Sequence, residues 1–296
     1  MLDEFGKFLD SRYGLSVDTL TQQEGKVVAR YLMLFGQELF EGSRAQGDFA
    51  LAILAVADLE RSLRHTLQSA WDMATTWQAI TPAENHVPTP PVVLLALVGL
   101  SLTWNWRSMC AYLLLAFTGM LRPGEALTLR RQDILLPRDL MSNRRCFYII
   151  VQRPKMRRVA ARREHVRVQD PFVLQVMEHW LDGIDASSRL FPISAAYLRV
   201  LHDHLVSFFG IPCLDGIGLT PASHRAGGAT HMFHECNSID TVRWHGRWAC
   251  TSRTLEVYVQ EVAALNVLPG LSADARDRIA FMARASVSLL QETFAF

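Results

Sequence analysis

Lysine is nearly absent from this chain: Lys7, Lys26 and Lys155 are the only three among 30 basic residues, and the rest are arginine. Long apolar runs are absent too. The richest, Val92 to Leu102, is closed by Trp104, Asn105 and Arg107, well short of the roughly 18 residues a membrane-spanning helix needs. Cysteine is sparse and unpaired in pattern. Cys110, Cys146, Cys213, Cys236 and Cys250 are odd in number and contain no CxxC, which points to reduced thiols in an intracellular protein. The opening stretch MLDEFGKFLD carries acids and no apolar core, so it does not read as a secretory signal. No phosphate-binding glycine loop, clustered carboxylates, internal repeat or low-complexity tract occurs. His231, His234 and Cys236 have ligand-type side chains, but no further ligand pair stands nearby, so they read as the polar end of a helix rather than a zinc site. No metal and no cofactor is expected.

What the chain does have is apolar residues enough for two modest cores, at 50% of 296 residues. Residues 1–80 read as helical throughout. Gln22 to Phe40 places Val27, Val28, Tyr31, Leu32, Leu34, Phe35 and Leu39 at helical spacing before Gly42-Ser43. Phe49 to Leu63 repeats the pattern with Leu51, Leu54, Val56 and Leu59, and a third helix runs from about Leu67 to Ile80, with Trp71 and Trp77 as core residues. The segment 81–91, TPAENHVPTPP, has four prolines in eleven residues. It cannot continue a helix, and it reads as a stiff linker between a helical domain, 1–80, and a second domain, 92–296.

Charge is unevenly distributed. Between Arg122 and Val168 there are 13 Lys/Arg against 4 Asp/Glu, a local balance of +9, so the remainder of a chain with net charge +1 carries −8. A basic segment in an otherwise acidic protein is an electrostatic footprint for a polyanion. Within it, Cys146 to Val151 is a β-rich run, and Glu164 to Val168 alternates as a second strand. The basic turn between them holds Arg153, Lys155, Arg157, Arg158, Arg162 and Arg163. In a chain that so prefers arginine, Lys155 stands out, because an ammonium can give up a proton and a guanidinium practically cannot.

Four stretches carry candidate chemistry. In AYLLLAFTGMLRPGEALTLRRQDIL (Ala111 to Leu135), an apolar helix ends at Thr118-Gly119, and Arg122 precedes a proline that opens a new helix. An arginine there suits an anion, and Glu125, three residues on, can hold its fork from behind. The lysine turn is the second stretch. In Leu219-Thr-Pro-Ala-Ser-His-Arg-Ala-Gly-Gly-Ala-Thr, Arg225 lies in the first turn of a helix in which Gly227-Gly228 permits close packing. Finally, Gly246-Arg247-Trp248 is followed by Tyr258 on a helical segment. Helices over Pro171–Ile184 and Ala195–Phe209 read as scaffold, and Ala273 to Phe294 as a long amphipathic helix with Ser272 its N-cap.

The order T-G-x-x-R-x-x-E-x-L-x-L-x-x-x-D, then a lysine hairpin, a second arginine box and a tyrosine, resembles the tyrosine recombinases of the phage-integrase family. The R-x-G-G-A-T form is similar to eukaryotic retroelement members. The resemblance covers about Leu100 to Glu261. It implies a mainly α fold with a small antiparallel β-sheet, in which a helical N-terminal DNA-binding domain and a catalytic domain close as a clamp on double-stranded DNA. It implies a site-specific recombinase or integrase acting through a 3′-phosphotyrosine, with self-association as dimer or tetramer and a DNA-associated, in a eukaryote nuclear, location. It assigns Arg122 and Arg225 to the scissile phosphate, Lys155 as general acid and Tyr258 as nucleophile, with Glu125 supporting. Two departures stand out. The family's histidine, three residues before the second arginine, is Ala222 here, while His224 sits two positions on, where a helix faces elsewhere. The spacing to Tyr258, ten from Trp248 and eleven from Arg247, is a residue or two long. Trp248 is the favoured occupant of the family's His/Trp role, with Arg247 and His245 as the other candidates. A DNA-binding relative that does not cleave, and a type IB topoisomerase-like enzyme, are the alternatives. The C-terminal helix could pack on its own domain or on a neighbouring protomer.

Overall fold

The computed structural model describes residues 1–296 except 82–86, 153, 155–162, 214–217, 250–254, 256–258, 260 and 295–296, and of 261–262 only the backbone. The chain divides into two compact units, Met1–Ala83 and Glu84–Phe296.

The first unit is a bundle of α1 (Leu2–Tyr13), α2 (Val17–Thr21), α3 (Gly25–Glu41), α4 (Gln46–Leu59) and α5 (Gln68–Ile80). Of the expected stripes, Val28, Leu32, Phe35, Leu39 and Val56 are buried, together with Trp77, Phe5, Leu9, Phe49 and Ile53. Val27 and Leu34 of α3 and Leu51, Leu54 and Leu59 of α4 are instead exposed. In α4 the Phe49–Ile53–Val56 row turns inward, which leaves its leucines on the outer face. Where α3 meets α4, Gly36 lets the two helices approach, because a Cβ there would lie 2.7 Å from the Phe49 ring.

The second unit is organised around α6 (Pro91–Thr103) and α7 (Arg107–Thr118), with the short α8 (Pro123–Ala126) following. Nearly every residue of α6 from Val93 to Leu102 is buried, as befits a helix that is apolar on all sides. After α8 come the strands, then scaffold helices α9 (Pro171–Trp180) and α10 (Ala195–Phe208), and α11 (Ser223–Cys236), α12 (Ile239–Gly246) and α13 (Glu261–Asn266). The long C-terminal helix α14 (Ala273–Phe294) packs along α6, where Gly99 brings it within reach of Met282. Ile279, Ala283, Leu290 and Phe294 complete this core, so the C-terminal helix packs on its own unit. Burying each such leucine removes apolar surface worth about 1.5–3 kcal/mol.

The sheet is three-stranded and antiparallel, in the order β1 (Ile134–Leu135), β2 (Phe147–Val151), β3 (Glu164–Val168). Phe147 pairs with Val168, Ile149 with Val166, and Val151 with Glu164. Phe147, Ile149, Val151, Val166 and Val168 face the core on the period of two that a half-buried sheet requires. The short β1 adds a strand to the expected hairpin; at two residues it shows no alternation and is defined by its pairing with Tyr148 and Ile149. The chain is thus mainly α with a small antiparallel sheet, and no helix among the described residues is long and apolar enough to cross a membrane.

The proline-rich segment differs from a free spacer over its described second half. Val87 packs on the second unit's core, Thr89 is 1% exposed, and its amide donates to Ser223 O at 3.1 Å. Proline content rules out helix here but not docking of an extended strand of backbone, and Pro91 itself opens α6.

Candidate functional site

Glu125 is the centre of the site. The helix α7 ends at Thr118, Met120 takes a left-handed turn (φ 46°), and Arg122 becomes the residue preceding α8. The Glu125 carboxylate reaches back to accept from the Arg122 amide at 2.9 Å and pairs with Arg122 Nη1 at 2.7 Å, as the i, i+3 spacing anticipates. Two arginines from far along the chain join it. Arg247 Nη2 lies 2.9 Å from Oε2, and Arg225 Nη1 3.8 Å from the same oxygen. Burial alone would push this carboxyl up. Arg247, the Arg122 amide and the Arg122 and Arg225 guanidiniums outweigh it and hold the group below its ordinary value.

Arg225 projects from α11 and is 2% exposed. Its Nη1 donates to Met120 O and its Nη2 to Gly246 O, the latter at 2.7 Å. The Trp248 ring lies 4.4 Å from its guanidinium carbon, a cation–π contact in a desolvated setting. That contact depends on Gly246, where a Cβ would fall 1.5 Å from the indole. The Gly-Arg-Trp triplet is therefore a packing device: glycine makes room, and tryptophan covers the arginine.

Arg247 caps α12 in a left-handed conformation (φ 61°). Both ends of its fork are engaged: Nη1 pairs with Glu164 of β3 at 3.1 Å, and Nη2 bonds Glu125 and, at 3.2 Å, Met120 O. His245 Nε2 sits 2.8 Å from Thr118 O. A carbonyl only accepts, so Nε2 carries the hydrogen and Nδ1 the lone pair. Burial lowers this histidine's pKa, the Thr118 carbonyl opposes that, and Arg247 and Arg167 add to the lowering; the ring is neutral. Arg122, at 29% side-chain exposure against 2% and 6% for Arg225 and Arg247, is the member of the trio most open to solvent.

The structure thus brings Arg122, Glu125, Arg225, Arg247 and Trp248 together, with His245 hydrogen-bonded to the end of the same helix that leads into Arg122. It does not bring His224 to them. His224 is fully buried, with Thr89 Oγ1 3.1 Å from Nδ1 and His202 Nε2 3.1 Å from Nε2. Its placement as a supporting residue is corrected accordingly: two positions along a helix rotate a side chain by more than half a turn, here into the core. Ala222, the residue preceding α11, caps it with no polar side chain. Arg163 is exposed just before β3. Lys155, Tyr258, Arg153, Arg157, Arg158 and Arg162 lie outside the described residues. Sequence reasoning missed Glu164, whose only signal was an acid at a strand start inside a basic segment, and the buried pair His202–His224.

No family model matches the chain, and no curated protein does. Among solved structures it is similar to the XerH site-specific recombinase bound to difH substrate in a pre-cleavage complex, with TM-score 0.56 and 13% identity over 87% of this chain and 73% of that one. The post-cleavage complex of XerH with palindromic difH substrate gives TM-score 0.53 and 14% identity over 87% and 72%. The chain has the tyrosine-recombinase fold of these neighbours.

Proposed function

We propose that this chain is a site-specific DNA recombinase that cuts and rejoins duplex DNA through a 3′-phosphotyrosine. The observation that carries the reading is the trio of arginines, two of them buried and Arg122 open to solvent, around one buried carboxylate, set in the recombinase fold. Among the described residues of this cluster, Arg122, Arg225 and Arg247 against Glu125 and Glu164 leave one positive charge, matching the single negative charge of a phosphodiester. Arg122 is the first contact. Arg225 engages the second non-bridging oxygen once a phosphate replaces the Met120 and Gly246 carbonyls, and together they stabilise the charge that develops on phosphorus. Tyr258 attacks phosphorus; the new P–O bond to its Oη forms as the bond to the 5′-oxygen breaks, and Lys155 protonates that leaving oxygen. With Ala222 in the family histidine's place, the tyrosine proton passes to water. Attack by another strand's 5′-hydroxyl reverses the sequence and releases the tyrosine. This chemistry needs neither nucleotide nor metal. Arg153, Arg157, Arg158, Arg162 and Arg163 supply the attraction to the DNA backbone. Residues 1–83 carry 7 basic against 11 acidic residues, so the electrostatic pull resides in the second unit. Integration of a mobile element, assembly of dimers or tetramers on DNA, and a nuclear location in a eukaryote belong to the same reading.

A second reading, a DNA-binding relative that does not cleave, is favoured by one observation: Arg225 is sealed by two carbonyls and an indole. Covalent trapping separates the two. Nicked, end-labelled duplexes of mixed sequence are incubated with the protein and with Tyr258→Phe, then run on a denaturing gel. The recombinase reading expects a slow band that the mutant lacks and that digests to a phosphotyrosine peptide. Salt-sensitive binding without that band would overturn it in favour of the second reading.

A further inference from the structure

Arg247 has two features that an ordinary helix cap lacks. Its side chain is 6% exposed. Its fork is divided between two acids that belong to different elements: Glu125 lies 122 residues before it, and Glu164 lies 83 residues before it at the start of β3. Glu164 pairs across the sheet with Val151, the last residue of β2, so the ion pair attaches the connected end of the β2–β3 ladder to the arginine cluster. The connection from β2 to β3 contains Lys155.

Arg122 and Arg247 both lie within 3 Å of Glu125, yet they face different surroundings. Arg122 keeps part of its guanidinium toward solvent. Arg247 has one nitrogen on Glu164 and the other on Glu125 and Met120 O. Remove the Glu164 charge, and Nη1 is left without its acid while the cluster's residual charge rises from one to two. An arginine in that state is drawn to the nearest anion, and at a loaded site the nearest anion is the DNA phosphate.

The geometry points to Glu164 as a positioning residue: it holds Arg247 as a strut between the sheet and Glu125 and keeps this third arginine out of the phosphate grip. The inference rests on the reading that the cluster binds a DNA phosphate, but not on cleavage. Loss of Glu164 therefore tightens ground-state binding while it loosens the geometry needed for reaction, since an interaction that is equally strong before and during the chemical step does not accelerate it.

The test is a salt titration of duplex binding by the full chain and by Glu164→Gln, Glu164→Asp and Glu164→Gln/Arg247→Met, with trapping rates on nicked DNA measured alongside. In Glu164→Gln, one more neutralised phosphate steepens the dependence of log K on log salt by about 0.9. Trapping slows by about 10- to 100-fold, the range a small misplacement produces. Glu164→Asp keeps the charge and the wild-type slope, and removing Arg247 as well returns the slope to that of the wild type. A slope unchanged in Glu164→Gln, or affinity and melting temperature falling together, would overturn the inference and leave Glu164 a structural ion pair. Steeper salt dependence without a covalent product from the wild type would uphold it while refuting cleavage. Absence of any salt-dependent binding by the wild type would overturn both.

Discussion

Taking the protein from pH 7 to pH 5 should cost the second unit about 2 kcal/mol of stability through His202, with His224 adding to the loss in the same direction. His202 and His224 are both fully buried, with their Nε2 atoms 3.1 Å apart. Only one hydrogen can lie between two such nitrogens, so the pair is a donor and an acceptor, each ring neutral. One arrangement uses every neighbour: the Thr89 hydroxyl donates to His224 Nδ1, His224 Nε2–H to His202 Nε2, and His202 Nδ1–H faces the Asp203 carboxylate at 3.6 Å. Arg199 already grips that carboxylate with bonds of 2.8 and 2.9 Å, so Asp203 is poorly placed to support a second cation. Burial, with Arg199 adding to it, pushes His202 down to about 3, and burial with His202 nearby pushes His224 well below 6.5. Both groups stay neutral in the folded chain while the unfolded chain takes up their protons below about 6.5. This contribution is thus complete above that value and is lost as pH falls, at about 1.4 kcal/mol per unit for His202, or about 2 kcal/mol by pH 5, with His224 losing in the same direction. Glu125, held low, adds its own loss only below its ordinary value of 4.5, outside this window. Urea unfolding followed by tryptophan fluorescence, at pH 7 and pH 5, reads the effect. In His202→Leu the absolute stability changes, but the difference between the two pH values should shrink by about 2 kcal/mol. An unchanged difference would refute the claim that the pair is buried and neutral.

Two further outcomes follow from the packing and the charge. Gly228→Ala would place a Cβ 2.0 Å from Phe117 O, so α11 must shift from α7, the helix leading to Arg122; the melting transition should fall by the equivalent of about 1–3 kcal/mol, read by calorimetry. Replacing Arg153, Arg157 and Arg158 together with glutamine should weaken duplex binding uniformly across sequences and flatten the salt dependence by about 0.9 for each phosphate no longer neutralised, read by fluorescence anisotropy at several salt concentrations.

Local patterns carried a good part of the site. Arg122 and Glu125 stand three apart across a helix start, and that spacing alone brings the carboxylate to both the amide and the guanidinium. Gly227 and Gly228 announced a close approach, which proved to be to Thr89 and Phe117. The strand Phe147–Val151 was legible as a β-rich run from Cys146, Glu164–Val168 as alternation, and the terminal helix as amphipathic, although Phe281 and Val287 of its expected stripe lie on the exposed face. His224 was legible in part: helix geometry showed that it could not stand where a residue at position 222 would, but not that His202 waited for it in the core.

What sequence alone determined, then, is whatever depends on a few neighbouring residues: helix and strand identity, the Arg122–Glu125 pair, the basic segment and the absence of a membrane-length apolar run. Tertiary structure decided which distant side chains share a carboxylate. Arg247 meets Glu125 and Glu164, Trp248 covers Arg225, and Thr89 leaves a proline-rich stretch to bond α11, because the helices and strands that carry them pack on one core. Periodicity says which face of an element is apolar; it does not say which other face it will meet. That choice is made by the fit of whole surfaces, and no short window of sequence contains it.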